Sequence, residues 1–173
     1  MRYLLLVSHG TFAPGLDSVI KMLVGERTDV LSCGMEDGMG ADAYVRALEQ
    51  TVSVIKPEDS VFVFGDLIGG SPLTNAINVL TQRGLMQNAT VFGGANVPMV
   101  ITATLQSDED DETLKRDIIS EGQAAIREFV LQLDDEEDES RGVGHARRRG
   151  LAAHAPSARC HKAPNYTPVH KPS

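Results

Sequence analysis

The sequence has no tryptophan, only two cysteines (Cys33 and Cys160), and before residue 140 a single histidine, His9. Two cysteines cannot form a disulfide scaffold, so the fold has to rest on a hydrophobic core, and a reducing, cytoplasmic compartment is expected. With one histidine in the body and no paired carboxylates beside it, a zinc site would lack ligands, and neither metal nor cofactor is expected. Long apolar runs are also missing. The one near the start is Tyr3–Val7, with Arg2 as its only flanking positive charge and no small-residue cleavage signal after it. That is too short for a membrane span and wrongly flanked for a leader peptide, so a soluble protein is expected.

At 173 residues and 42% hydrophobic content, the chain can bury one sizeable core and not two. Its net charge of -8 conceals a division. Residues 1–139 hold all 24 acidic residues against nine Lys or Arg, while residues 140–173 hold seven Lys or Arg and no acid. The later segment has no apolar periodicity, is rich in Pro, Ala and Arg, and contains the other four histidines. Such a composition cannot form a packed core and reads as disordered. Its "RRR" could be a basic arm for nucleic acid, but Tyr166 is the only aromatic residue there that could stack on a base. A flexible linker or an extension foreign to the domain, such as frameshift readthrough, is the plainer reading, and no nucleic-acid partner is expected. The block "DDEEDE" at 134–139 is a solvated acidic run, which sets the expected division at a folded domain over 1–133 and a tail over 134–173.

The folded part alternates strand and helix signals. Arg2–Ser8 reads as a buried strand, and Leu16–Val24, with Leu16, Val19, Ile20 and Leu23 on one side, as an amphipathic helix. Asp29–Cys33 is a weaker strand, and Asp42–Ile55 has helical spacing that Pro57 stops. "SVFVFGD" at 60–66 is the clearest strand, β-branched and aromatic. Next comes a helix for which Ser71 is the expected N-cap and Pro72 the expected first residue. "ATVFGG" at 89–94 is a fourth strand, Asn96 a cap for the helix after it, and Asp110–Ala125 a last helix with acids in its first turn. "REFVLQL" at 127–133 places Phe129, Leu131 and Leu133 in period two, which suits a further strand. Strand-then-helix units with short connections imply an α/β fold of three layers, a mainly parallel sheet with helices on both faces.

In such sheets the functional groups collect beyond the carboxyl ends of the strands. Strand one ends at Ser8, His9, Gly10; strand three at Asp66, Leu67, Ile68, Gly69, Gly70, Ser71; strand four at Gly93, Gly94, Ala95, Asn96. Adjacent parallel strands lie about 4.8 Å apart, so His9 and Asp66 can come within hydrogen-bonding reach if their strands are neighbours. A carboxylate on one ring N–H fixes the imidazole tautomer, leaves the other nitrogen free as a nucleophile, and stabilises the charge the ring gains when that nitrogen is alkylated, acylated or phosphorylated. Glycines beside the ring and a helix N-terminus can meet a tetrahedral anion, which makes Gly10, Gly69, Gly70 and Ser71 candidate phosphate-binding residues.

Each residue also has an ordinary explanation. A strand-end histidine is often structural, Asp66 could only cap its loop, "GGSP" is common at helix starts, "GGAN" could be a tight turn, and Cys33 suits a core position. Their shared placement on one edge is what favours chemistry.

"LLLVSHGTFAPGL", "VFVFGDLIGGSPLTNAI" and "GGANVPMVITATL" together resemble the IIA domain of the mannose family of the bacterial phosphoenolpyruvate:sugar phosphotransferase system, over roughly residues 1–133. The resemblance implies a phosphotransferase in which His9 accepts a phosphoryl group from the phosphocarrier protein HPr and passes it to a IIB component, which phosphorylates sugar entering through the IIC and IID membrane components. It assigns Asp66 as the partner of that histidine and Ser71 as the serine near the phosphate. It further implies a flavodoxin-like strand order and a homodimer that exchanges a C-terminal antiparallel strand, here "REFVLQL". Two other readings stay open: the related phosphoryl-carrier subunit of a dihydroxyacetone kinase system, and a non-catalytic module that holds a small anion. A carrier that two proteins visit needs an exposed histidine on a dockable surface, for which Phe12, Leu67 and Met99 are candidates, although each could equally pack inside.

Overall fold

The computed structural model describes residues 1–130. Their elements run β1 (Arg2–His9), α1 (Phe12–Val24), β2 (Val30–Met35), α2 (Ala41–Thr51) with a 3-10 turn at Val52–Val54, β3 (Ser60–Gly65), α3 (Ser71–Gln82), β4 (Ala89–Gly93), α4 (Val97–Leu105) and α5 (Asp111–Ala124). A further 3-10 turn at Met86–Asn88 leads into β4. The four strands form one parallel sheet in the order β2-β1-β3-β4. This is the flavodoxin-like order expected from the resemblance, and the chain reverses its winding direction between β1 and β3.

Alternation along the strands divides the core between two faces. Tyr3, Leu5 and Val7 of β1 point with Val61 and Val63 of β3 towards α2 and α3, where they meet Tyr44, Leu48, Leu73 and Leu80. Leu4 and Leu6 point with Phe62, Phe64 and Phe92 to the opposite side, covered by α1, α4 and α5 through Leu16, Ile20, Val100, Leu114 and Ile118. Phe64 stacks on Phe92 with centroids 5.0 Å apart, a pair worth about 0.5–1.5 kcal/mol beyond the area it buries.

Two helix starts differ from the sequence expectation. α1 begins at Phe12, four residues before Leu16, because Pro14 sits in the first turn, where no intrahelical N–H is needed, and the buried Ser8 hydroxyl accepts the Ala13 amide at 2.7 Å. α3 begins at Ser71 itself; Gly70 is its N-cap and Pro72 its second residue, so Ser71 does not cap the helix. The expected cap of α4 is present, with Asn96 accepting the Met99 amide at 3.1 Å; Asp110, read from the sequence as the start of the last helix, is its N-cap and accepts the amides of Glu112 and Thr113.

Within the segment read as a further strand, residues 127–130 lie in neither helix nor strand of this single chain, with Phe129 and Val130 exposed. The rest of that segment, the acidic run and the basic tail lie outside the described residues.

Candidate active site

The point where the sheet reverses its winding is where β1 delivers His9 and β3 delivers Asp66. Val7 of β1 pairs with Gly65 of β3, and the Asp66 amide donates to the Val7 carbonyl at 3.3 Å, which ties the two strand ends together. His9 Nδ1 lies 2.9 Å from Asp66 Oδ2, and the same oxygen accepts the His9 backbone amide at 2.9 Å. Asp66 Oδ1 accepts the Leu67 amide at 2.8 Å. One carboxylate thus organises both the ring and the loop beyond it.

These bonds fix the chemistry. Burial is the largest single influence on Asp66 and raises its pKa, but the hydrogen bonds from the His9 amide, the His9 ring and the Leu67 amide together outweigh it and hold the carboxyl below its ordinary value. An ionised carboxylate only accepts hydrogen bonds, so in the neutral imidazole the proton sits on Nδ1 and the lone pair on Nε2. The His9 side chain is 46% exposed against 18% for Asp66, so the ring is open to solvent while its anchor is mostly covered.

The glycine-rich loop serves the ring differently from the sequence expectation. Gly69 has φ +77°, a left-handed turn that leads the chain back to α3. A Cβ on Gly70 would stand 2.8 Å from His9 Cε1, so the ring fills the space a side chain would need. The Gly70 amide donates to the Leu67 carbonyl at 3.3 Å and the Gly10 amide to the Met35 carbonyl at 2.7 Å, so two of the expected anion donors are already engaged. Among the described residues, the amides of Gly69 and Ser71 and the Ser71 hydroxyl have no hydrogen-bond acceptor in the protein. The donors left for an anion therefore sit at the start of α3, where the helix dipole adds partial positive charge.

The remaining candidates separate cleanly. Phe12 and Leu67 are exposed and Met99 is buried, which leaves the first two for a surface role and places the third in the core. In "GGAN", Asn96 is committed to its cap and to the Gly122 carbonyl at 3.0 Å, the structural reading of that motif. Cys33 is buried, and burial pushes its thiol pKa up, as suits an inert core residue. Sequence reasoning missed the β2–α2 loop. Met35, Glu36, Asp37 and Met39 join His9 around an open groove of about 320 Å³. The weak strand before that loop gave no signal, and only the pairing of β2 with β1, which sets Met35 opposite His9, brings it to the site.

The fold and site define a doubly wound α/β domain that presents an exposed, carboxylate-anchored histidine at its switch point. Residues 3–119 match the EIIA-man family, the PTS system fructose IIA component, and the chain belongs to that family. It is a IIA component of a sugar phosphotransferase system. Solved structures agree in fold. The mannose/sorbose-specific IIA subunit from Enterococcus faecalis superposes with a TM-score of 0.62 at 25% identity, covering 76% of this chain and 97% of that one. The PTS IIA protein associated with the fucose utilization operon of Streptococcus pneumoniae gives 0.63 at 25%, covering 73% and 92%. The component EIIA of Streptococcus agalactiae gives 0.64 at 23%, covering 74% and 97%.

Proposed function

We propose that this chain is a cytoplasmic phosphohistidine carrier that accepts a phosphoryl group from HPr on His9 Nε2 and donates it to a IIB component, for sugar that enters through IIC and IID membrane components. The observation that carries this reading is the 2.9 Å contact between Nδ1 of an exposed His9 and a carboxylate held ionised. In the transfer, the P–N bond to the donor ring breaks and its electron pair returns to that nitrogen, while Nε2 supplies the pair for the new P–N bond. The donor ring keeps the proton on its other nitrogen and leaves as neutral imidazole. His9 keeps its Nδ1 proton, so the phosphorylated ring is cationic and Asp66 faces the new charge. The free amides of Gly69 and Ser71, with the Ser71 hydroxyl, are the groups that would meet the phosphoryl oxygens. Because the leaving group is a neutral ring, the reaction is close to balanced and can run on to the next carrier.

A homodimer fits the same reading. The outer edge of β4 has no strand against it among the described residues, and Val91, Met99, Ile119 and Ile126 line an open groove of about 310 Å³ beside it. An exchanged segment beginning near Arg127 would cover both.

The test is incubation with phosphoenolpyruvate, enzyme I and HPr. An acid-labile, base-stable adduct on His9 is expected, and its loss in His9→Ala. A label that survives in His9→Ala would move the site elsewhere.

A further inference from the structure

Gly34 in β2 stands opposite Ser8 of β1, one position before the pair formed by His9 and Met35. Its backbone is that of an ordinary strand residue, which any side chain could share, so the case for glycine there is one of space. A Cβ on Gly34 would stand 2.2 Å from the Gly10 carbonyl oxygen, 3.4 Å from the carbon of that carbonyl and 3.3 Å from Pro14 Cδ. The missing side chain would point towards α1, the face on which Val30 packs and from which Asp17 accepts the Ser32 hydroxyl at 3.3 Å. Glycine inside a strand weakens it and often marks the close approach of another backbone. Here that backbone is the turn immediately after His9.

That turn has little slack. On one side the Gly10 amide donates to the Met35 carbonyl at 2.7 Å; on the other, Asp66 Oδ2 accepts the His9 amide at 2.9 Å. Gly10 itself has φ +55°, a left-handed bend, and the Ser8 hydroxyl accepts the Ala13 amide at 2.7 Å, which ties the start of α1 back to β1. A side chain at position 34 would drive the Gly10 carbonyl back by about 1 Å to reach an ordinary carbon–oxygen contact. The peptide between His9 and Gly10 would have to follow. The contact between His9 Nδ1 and Asp66 Oδ2, 2.9 Å in the wild-type chain, would then lengthen towards the point where it no longer counts as a hydrogen bond.

Resting on the carrier role proposed for His9, we propose that Gly34 is a positioning residue for the transfer: by leaving room for the Gly10 carbonyl against β2, it sets where β1 ends and so where Nε2 stands relative to Asp66 and the start of α3. Gly34 itself has no side chain to offer phosphate or a partner, and it acts only through the turn that it admits. In-line transfer depends on that placement, since a shift of order 1 Å at a reacting group slows a reaction by about 10²-fold.

The experiment measures transfer from phosphorylated HPr to the full chain as wild type, Gly34→Ala and Leu114→Ala, together with urea unfolding and nitrogen NMR of the His9 ring. Leu114 is fully buried between α5 and the sheet, so its variant lowers stability without pressing on the turn. Gly34→Ala should lower the limiting rate about 10²-fold while the half-saturating HPr concentration stays within about twofold, and its ring should show a mixture of tautomers. Leu114→Ala should lower the urea midpoint yet keep the wild-type tautomer and a limiting rate within about twofold. If wild type is labelled and Gly34→Ala keeps its rate and tautomer, the positioning proposal falls while the carrier role stands. Equal losses of rate in the two variants would make Gly34 a merely structural residue and overturn the proposal as well. If wild type takes no label, the carrier role fails and the proposal with it. Should Gly34→Ala not fold, hydrogen exchange on wild type decides: protection of the Gly10 amide within about tenfold of the β1 amides supports the held turn, and free exchange there overturns it.

Discussion

Asp66 Oδ2 accepts two hydrogen bonds from one residue, the backbone amide and the ring Nδ1 of His9, each at 2.9 Å. The first fixes where the strand ends and the second fixes how the ring is turned, so a single oxygen couples fold to tautomer. Asp66→Asn keeps an acceptor for the amide but removes the charge that favours a proton on Nδ1 and stabilises the phosphorylated ring. The rate of phosphorylation should fall about 10²–10⁴-fold, the range for a positioned proton-handling group. Far-UV circular dichroism should be unchanged. Nitrogen NMR of His9 should show the Nδ1-protonated form in wild type and a mixture of tautomers in the variant.

The same carboxylate gives stability a defined pH dependence. Its folded pKa lies below the ordinary carboxylate value, which is about 3.9 for Asp in an unfolded chain. The unfolded state therefore binds the proton more readily, and Asp66 stabilises the fold fully above about pH 5. That contribution shrinks as pH falls through about 4 and is gone below the folded pKa. Urea unfolding of wild type and Asp66→Asn should differ at neutral pH and converge at the acidic end. A gap that persists at low pH would refute the assignment.

Gly70 has φ -68° and ψ 151°, a conformation any residue adopts, so its place in the site is a matter of space. A Cβ there would stand 2.8 Å from His9 Cε1. Gly70→Ala should displace the ring without disrupting the backbone. Transfer should slow by about 10²-fold, since a shift of order 1 Å at a reacting group costs that much. The melting temperature should move by only a few degrees, the scale of an N-cap change of about 1 kcal/mol. Comparable losses of rate and of melting temperature would mean that Gly70 supports the fold generally.

How far the sequence could be read depended on whether the signal was local. The strand-end histidine, the aspartate and their meeting point followed from hydrophobic runs that stop at polar and glycine residues, together with the rule that sites lie beyond strand ends. The start of α1 was hidden because Pro14 and Gly15 resemble a break, while the buried Ser8 hydroxyl that holds the Ala13 amide is visible only in three dimensions. The Gly10 amide was expected to meet phosphate, but parallel pairing with β2 gives it the Met35 carbonyl. No local pattern encodes that choice. Met99 reads identically on a core face or a surface; the packing of α4 against α5 places it inside.

Phe64 lies at the centre of the sheet, 1% exposed and stacked on Phe92, one residue before the glycine that precedes Asp66. Phe64→Ala should cost about 3–5 kcal/mol, the range for truncating a buried aromatic residue. The loss should show as a lower urea midpoint with an unchanged slope. Because Phe64 points away from the side occupied by the ring, transfer measured well below the unfolding transition should stay within a few-fold of wild type. A large loss of rate in the folded variant would show that the Phe64–Phe92 stack also positions the site.

The proposed exchange of a C-terminal segment gives a last expectation, readable by sedimentation. Ile126, Phe129 and Val130 are 79%, 85% and 68% exposed in the single chain, beside a β4 edge with no strand against it among the described residues. Burying a side chain of this size contributes about 1.5–3 kcal/mol, so three together supply a substantial part of the energy a stable dimer needs. The full chain should sediment as a dimer, and a chain ending at Ala125 as a monomer. Phe129→Asp should weaken association at least tenfold without altering the secondary structure of residues 1–125. A truncated chain that still sediments as a dimer would place the interface on another surface.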